Sequence, residues 1–224
     1  MGITYNPRTI TDGLVLCLDA ANAKSYPGSG TTWTDLSGRG NTGTLTNGPT
    51  YSSANGGSLV FDGSNDYVTI PYDTSFNSSK ITVDCVTRVN SKVHVRPIVN
   101  RWANSWRLLT VSVEFYRFQF DIRVANQVYT VQSNFVFDTS SIYHITATYD
   151  GTSLKMYING NLQDDLLVSG NLDSSSNDIK IARNSSYNPN RYLNQNFYNL
   201  KIYNRALSAQ EIQQNYNALK SRYI

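Results

Sequence analysis

The sequence has few of the residues from which most active sites are built. Its 224 residues include two cysteines and two histidines, and charged residues make up only 16% of the chain. Two cysteines are too few for the disulfide framework of a small secreted domain. Cys17 and Cys85 lie within apolar runs, where single cysteines usually act as small hydrophobic residues, with a disulfide between them as the alternative.

Segments for targeting and membrane insertion are also missing from the pattern. The first ten residues contain no apolar run that would serve as a signal peptide. No apolar stretch approaches the roughly 20 residues that span a bilayer. The sequence therefore predicts a protein made in the cytoplasm, with no membrane partner.

Acidic residues are too sparse for the usual catalytic pairs. Hydrolases of sugars place two carboxylates on either side of the scissile bond. The chain has two glutamates, and Glu114 has no acidic residue two or four positions away, while Glu211 fits a helix cap. Asp164 and Asp165 are adjacent, so on a strand they would face opposite ways. We therefore expect no enzymatic activity.

The histidines and the lack of known catalytic motifs also argue against enzymatic activity. His94 and His144 lack a nucleophile motif, and His144 lies in a regular strand pattern, where we expect a structural role. No phosphate-binding loop or zinc-ligand spacing occurs. The sequence thus favours a binding or structural protein.

What is abundant is the chemistry of β-strands and turns. Residues 80–89 alternate between apolar and polar types, as in a half-buried strand. The pairs Asp150-Gly151 and Asn159-Gly160 are strong hairpin signals. About a dozen such strands, with frequent turns, predict an all-β, two-sheet antiparallel sandwich.

One helix is predicted, at the C-terminal end of the sequence. Ser208 and Glu211 have the spacing of a capping box, in which each side chain bonds to the other residue's backbone N–H. Apolar residues then recur on one face of the helix: Ile212, Tyr216, Leu219 and Tyr223. We expect this short helix to pack on the sandwich or its edge.

The turn between two β-type runs in residues 58–71 holds the best candidate metal ligands. Asp62, Asn65 and Asp66 could supply some of the oxygens that calcium requires. The favoured alternative is that the two aspartates make Asx-turn bonds, with Gly63 at positive φ, and so hold the hairpin without metal. Calcium therefore remains an alternative, and no other cofactor is expected.

Five segments together resemble the laminin-G-like, concanavalin A-like jelly-roll domains, in the stand-alone form found in structural proteins of tailed bacteriophages, cyanophages especially. They are GLVLCLDA, WTDLSGRGNTGTLTNGP, GGSLVFDGSNDYVTIP, ITATYDGTSLKMYINGN and IYNRALSAQEIQQNYNAL. The resemblance covers residues 13–223. It implies a concanavalin A-like jelly roll over residues 13–224, preceded by an N-terminal arm at residues 1–12.

The resemblance also implies a binding role and, in some relatives, a calcium ion. Relatives often have an acidic pair where this chain has Tyr198-Asn199, so this departure weakens the case for calcium. Relatives usually also carry an aromatic residue where Val86 stands and a Trp near Tyr143.

Aromatic residues next to polar groups are the candidates for carbohydrate or partner binding. They are Trp33, Trp102, Trp106, Tyr187, Arg191 and Tyr192. Such residues stack on sugar rings, but aromatic residues and arginine are also enriched in protein interfaces. The sequence does not separate these two interpretations, and the protein interface is favoured.

The cations between residues 88 and 107 are interleaved with two tryptophans and one histidine. With no nucleic-acid motif beside them, they favour an exposed sheet face or a protein interface over a nucleic-acid site.

We therefore expect a structural protein of a bacteriophage virion, a capsid decoration or a tail or fibre component, which binds other virion proteins and copies of itself. The alternative is a lectin-like module that attaches to glycans.

Overall fold

The computed structural model describes residues 8–93, 95–102, 105–112, 115–184 and 191–223. Within these residues the chain forms sixteen strands and one α-helix, α1 (Ala209–Tyr223). The strands are β1 (Leu14–Asp19), β2 (Thr32–Trp33), β3 (Gly43–Thr46), β4 (Thr50–Ser52), β5 (Ser58–Asp62), β6 (Tyr67–Ile70), β7 (Ile81–Val89), β8 (Arg96–Asn100), β9 (Trp106–Ser112), β10 (Tyr116–Val124), β11 (Gln127–Gln132), β12 (Tyr143–Tyr149), β13 (Ser153–Ile158), β14 (Asn161–Leu167), β15 (Ile179–Ile181) and β16 (Asn194–Tyr203).

The strands form two eight-stranded antiparallel sheets. Sheet 1 has the order β14-β13-β12-β7-β16-β5-β4, and β1 also pairs with β16. Sheet 2 has the order β11-β10-β9-β8-β15-β6-β3-β2. This arrangement confirms the predicted two-sheet jelly-roll sandwich with a short C-terminal helix.

Strand β16 is the central strand of sheet 1. One side of it pairs with β7 along most of its length. Its other side is shared, because Phe197 pairs with Leu59 of β5 and Lys201 pairs with Cys17 of β1. The first strand of the fold is thus held by the last.

The core lies between the two sheets and follows the period-two pattern. On β10, Phe118, Phe120 and Ile122 are fully buried in this core, whereas Arg117 and Gln119, at alternate positions, face outward. Each such buried apolar side chain contributes roughly 1.5–3 kcal/mol relative to an exposed one. The alternation leaves the outer face of sheet 2 polar.

Helix α1 covers the outer face of sheet 1. The capping box is confirmed, since Ser208 N donates to Glu211 Oε2 at 2.8 Å and Glu211 N donates to Ser208 Oγ at 3.3 Å. The buried face differs from the prediction in one position, because Asn215 is fully buried and Tyr216 only half-buried. The helix turns a polar residue inward because the sheet beneath it carries a buried charge, Asp84.

The two cysteines are not bonded to each other. Cys85 pairs in register with Leu200 and lies in the core, while Cys17 pairs with the neighbouring residue Lys201. Because successive residues of β16 point to opposite faces, the two thiols lie on opposite faces of sheet 1. The alternative of a disulfide is therefore excluded by the strand register.

The described part of the N-terminal arm, residues 8–12, packs against the domain. Ile10 N donates to Asn215 Oδ1 at 2.8 Å, and Tyr203 Oη donates to Ile10 O at 3.0 Å. Gln214 Nε2 also donates to Arg8 O at 2.7 Å. Among the helices of the described residues, none has the length and apolar character needed to cross a bilayer.

Candidate functional site

Two of the three tryptophans predicted to bind a sugar are core residues. Trp33 is fully buried and meets Phe197 edge-on, with ring centroids 6.2 Å apart. Trp106 is also fully buried and lies 6.2 Å from the ring of Phe120. Neither indole has a face available to a ligand, so the sequence interpretation is corrected at both positions. Both tryptophans have polar sequence neighbours, which favoured an exposed position, but each side chain lies in the core between the sheets.

A row of polar side chains crosses the outer face of sheet 2. Cross-strand register aligns Thr69 with Lys180, Lys180 with Asn100, and Asn100 with Arg107. The row continues through Asp121 to Thr130. These positions alternate with core residues on every strand, so their side chains share the outer face.

The remaining tryptophan stands at this row. The Arg107 guanidinium lies 4.0 Å from the centre of the Trp102 ring, and its Nε donates to Asp121 Oδ2 at 2.7 Å. Gln119 and Thr130 also donate to Asp121, each at 2.8 Å. Trp102 itself is largely buried, with 7% of its surface exposed. The Asp121 carboxylate is thus fully engaged in holding Arg107 against the indole.

A second aromatic cluster lies where β6 meets β15. The rings of Tyr67 and Tyr192 are 6.3 Å apart, and the Arg183 guanidinium is 4.4 Å from the Tyr67 ring. The Lys180 Nζ lies 5.9 Å from the same ring. We call Tyr67, Lys180, Arg183, Arg191 and Tyr192 the basic aromatic cluster. Tyr192 and Arg191 are the predicted site residues that belong to it, and Tyr187 lies outside the described residues.

The electrostatic field at this cluster is positive. The pKa of Arg96 is lowered, chiefly by burial and further by the positive charge of Arg191. The Nε of Arg183 is buried without a hydrogen-bond partner. Asp178 bonds to Lys180 at 3.1 Å and offsets only part of this charge. Like charges held together in this way favour a negatively charged ligand.

The row of cations predicted as one exposed face separates in the structure. Arg101 is fully buried, and its guanidinium donates to the carbonyl oxygens of Phe76 at 2.8 Å, of Asn177 at 3.2 Å, and of Ser175. Burial lowers the pKa of Arg101 to about 10. Arg88 lies on sheet 1 and donates to Asn196. Only Arg96 and Arg107 of this group therefore belong to sheet 2, and His94 lies outside the described residues.

The Asp62–Asp66 turn is held by its own hydrogen bonds. Asp62 Oδ1 accepts from Ser64 N at 2.8 Å and from Asn65 N at 3.3 Å, and these bonds lower the pKa of Asp62. Asp66 Oδ2 accepts from Asp62 N at 3.2 Å, and burial raises its pKa. Gly63 has a φ of 79°. This geometry is the Asx turn that the sequence favoured over a calcium site.

No group of three or more His, Cys, Asp or Glu side chains in the described parts of the chain is arranged to hold a metal ion. Asp62 and Asp66 are therefore only two carboxylates, with Asn65 beside them. Calcium at Asp62, Asn65 and Asp66 stays a prediction that nothing further supports.

A buried polar cluster between sheet 1 and helix α1 was not predicted from the sequence. Asp84 is fully buried, with its Oδ1 3.0 Å from His144 Nε2 and its Oδ2 accepting from Asn215 Nδ2 at 3.2 Å. The ammonium of Lys201 lies 4.0 Å away. Burial raises the pKa of Asp84, but the charges and hydrogen bonds of its neighbours outweigh that effect and bring it to about 2. The one available signal was an aspartate inside the apolar run ITVDCV.

Comparison with known families decides the classification. A family model described as the concanavalin A-like lectin/glucanases superfamily, Laminin_G_3, matches residues 62–213. The chain belongs to this superfamily. No curated protein sequence matches it. The superfamily domain therefore includes both the basic aromatic cluster and most of the buried Asp84 cluster.

Several solved structures with the same fold are binding domains of clostridial toxins. The binding domain of Paraclostridial Mosquitocidal Protein 1 has a TM-score of 0.71 and 18% identity, over 93% of this chain and 52% of that one. The binding domain of botulinum neurotoxin DC in complex with SialylT has a TM-score of 0.69 and 18% identity, over 94% and 52%.

A structure of botulinum neurotoxin type C, whose cell entry is described as dependent on two ganglioside molecules, has a TM-score of 0.71 and 18% identity. It matches 94% of this chain and 52% of the toxin chain. The chain thus spans about half the length of these neighbours. At this identity the likeness shows the fold, and their partners are not transferred with it.

Proposed function

We propose that the protein is a non-enzymatic binding module, and that the basic aromatic cluster on sheet 2 binds glycans that carry acidic groups. One observation carries the proposal: Arg183 and Lys180 both lie against the ring of Tyr67, with Tyr192 beside it. Aromatic rings provide flat apolar surfaces for sugar rings, and the cations beside them pair with carboxylate or sulfate groups.

Charge balance at the cluster supports an anionic ligand over a neutral one. Lys180 has Asp178 as a partner, whereas Arg183 Nε has no acceptor. Arg191 adds a positive charge near Arg96. An acidic group bound here would relieve this repulsion and satisfy the buried guanidinium N–H.

The carboxylates on this face favour binding over hydrolysis. Asp121 accepts hydrogen bonds from Arg107, Gln119 and Thr130, and Asp178 is paired with Lys180. A glycosidase needs one carboxyl group to donate a proton and another to attack or activate water. Both of these carboxylates are already bonded to side chains of the protein, so neither is placed to take one of these roles.

A glycan array comparing sialylated and sulfated glycans with their neutral counterparts tests this function. We expect retention of the acidic glycans only, with binding that weakens as salt is raised. Arg183→Ala and Tyr192→Ala should each abolish it. Arg39→Ala removes an exposed arginine elsewhere and is the matched control. Equal binding of neutral glycans, or equal loss in the control, would refute the proposal.

A second candidate is the structural protein of a bacteriophage virion, and the edge of sheet 1 favours it. Strand β14 is an edge strand that exposes Leu162 by 50%, Leu166 by 37% and Leu167 by 84%. Exposed apolar side chains on a strand edge suit contact with another protein. A particle map with β14 against a second virion protein would support this function, and a virion without this protein would refute it.

A further inference from the structure

A cavity lies beneath the C-terminal part of helix α1, away from the basic aromatic cluster. It is bounded by the helix on one side and by strands β7 and β12 of sheet 1 on the other. Its walls combine apolar and polar side chains: Val86, Ile142, His144, Asn159, Tyr216, Leu219, Lys220 and Tyr223. Its volume is about 20 Å³, which is enough for one water molecule or one small polar group.

A wider cleft adjoins the cavity. Ile142, Asn159 and Tyr223 line both spaces. The wider cleft has a volume of about 420 Å³, and Ser140, Ser141 and Asn55 contribute hydroxyl and amide groups to its walls. This volume is within the range of about 300–1,000 Å³ that is usual for sites that bind small molecules.

His144 supplies an unsatisfied polar atom at the narrow end. The imidazole is 96% buried, and its Nε2 lies 3.0 Å from Asp84 Oδ1. The two ring nitrogens therefore differ, because Nε2 has Asp84 as its partner. The Nδ1 atom is buried without a hydrogen-bond partner.

The surrounding contacts fix the imidazole in place. Tyr216 stacks on it with an interplanar angle of 11° and a centroid distance of 5.9 Å. The backbone N of His144 donates to Asn159 Oδ1 at 2.9 Å, and Asn159 N donates to His144 O at 2.8 Å. The ring is therefore held between Tyr216 and Asp84, with Nδ1 as its unpartnered nitrogen.

We propose that this cleft and the adjoining cavity form a second binding site, which takes a neutral sugar or other polyol and receives one of its hydroxyl groups at the narrow end, where the hydroxyl forms a hydrogen bond with His144 Nδ1. The wider cleft offers hydroxyl and amide groups to the ring hydroxyls, and Tyr223 and Ile142 offer apolar surface to the C–H groups of the ring.

The test is an NMR titration of the isotope-labelled protein with methyl β-D-glucopyranoside, in which the imidazole ¹⁵N resonances are monitored. We expect a saturable shift of the His144 Nδ1 resonance. Leu219→Phe fills the cavity and should weaken the response at least about tenfold. Leu166→Phe makes the same change on the exposed edge of sheet 1 and should leave it unchanged.

Should Leu219→Phe fail to fold, Ser140→Trp at the exposed mouth of the wider cleft gives the same comparison. Arg183→Ala should not change the titration, which separates this site from the one on sheet 2. A His144 Nδ1 resonance that stays constant to saturation, or a shift that survives both blocking variants, would overturn the proposal. A buried water that stays hydrogen-bonded to His144 Nδ1 when the glucoside is added would also overturn the proposal.

Discussion

Arg222 and Asp19 are joined by two hydrogen bonds, each 2.9 Å long, from the guanidinium of helix α1 to both carboxylate oxygens at the end of β1. The pair fixes the last turn of the helix to the strand that pairs with β16. Bidentate arginine–carboxylate pairs are stronger and more specific than single contacts. The C-terminal helix is therefore attached at this end as well as through its buried face.

Replacing Arg222 with alanine should loosen this attachment. We expect the free energy of unfolding to fall by about 1 kcal/mol, because the pair is partly exposed and solvent screens it. Urea denaturation measures the change, with Arg39→Ala as the control for loss of an exposed arginine. Equal stability of the two variants would mean that the helix is held by its apolar contacts alone.

The buried charge at Asp84 should matter far more than a surface carboxylate. Asp84→Ala leaves His144 and Asn215 without their acceptor, so we expect a loss of about 3–5 kcal/mol of unfolding free energy. Asp165→Ala removes the exposed pair with Lys155 and should cost less than about 1 kcal/mol. If Asp84→Ala does not fold, Asp84→Asn gives the measurable comparison. Similar losses in the two variants would contradict this assignment.

Acid should destabilise the fold through Asp84 and Glu211. The pKa of Glu211 is lowered to about 2, first by its bonds with Arg205, and that of Asp84 is also about 2. A carboxyl whose folded pKa is depressed stabilises the protein fully above its ordinary pKa, and this stability is lost as the pH falls toward the folded value. We therefore expect unfolding free energy to decrease between about pH 5 and pH 2.

The variant Glu211→Gln tests the share of the helix cap in this pH dependence. Glutamine retains the capping hydrogen bond but has no charge to lose. Denaturation curves at a series of pH values should show a shallower decrease for this variant than for the parent. A slope equal to that of the parent would assign the acid sensitivity to other groups.

Both thiols should be unreactive in the folded protein. Burial raises the pKa of the Cys85 thiol and also that of Cys17, and the thiolate is the reactive form. Labelling with a thiol reagent should modify neither cysteine at neutral pH in the native state, and both in denaturant. Mobility on a gel should not change with reductant. Rapid native labelling of Cys85 would show that its part of sheet 1 opens.

The sequence was sufficient for the fold because local signals agreed with it. The strand in residues 80–89, the Asp-Gly and Asn-Gly turns and the capping box at Ser208 all appear in the structure where they were expected. The strand was predicted to be half-buried, and that was wrong, because β7 is buried on both faces. Short strands such as Thr32–Trp33 carry too few residues for a periodic signal. The strand Thr32–Trp33 exists because it pairs with β3, and such pairing between strands is not encoded in the local pattern.

The candidate site was harder to predict, for a physical reason. Trp33, Trp102 and Trp106 all have polar sequence neighbours, but two are fully buried in the core and one is nearly buried beneath a guanidinium. Which face of a strand a residue occupies depends on the register of the sheet. Arg183 and Tyr67 are far apart in sequence, and they meet only because β15 pairs with β6. The burial of Asn215 was not predicted, because it depends on a hydrogen bond to the buried carboxylate of Asp84 on strand β7.

The pairing of β16 with both β5 and β1 has a consequence for folding during synthesis. Strand β1 can form its ladder only with β16, which follows it by some 180 residues, and helix α1 then closes over both. On the ribosome, β7 therefore stays separated from β5 and β1 within sheet 1 until β16 has emerged from the exit tunnel. Closure of so long a loop makes a late, slow step in folding. During synthesis, the early strands would be natural clients for a chaperone.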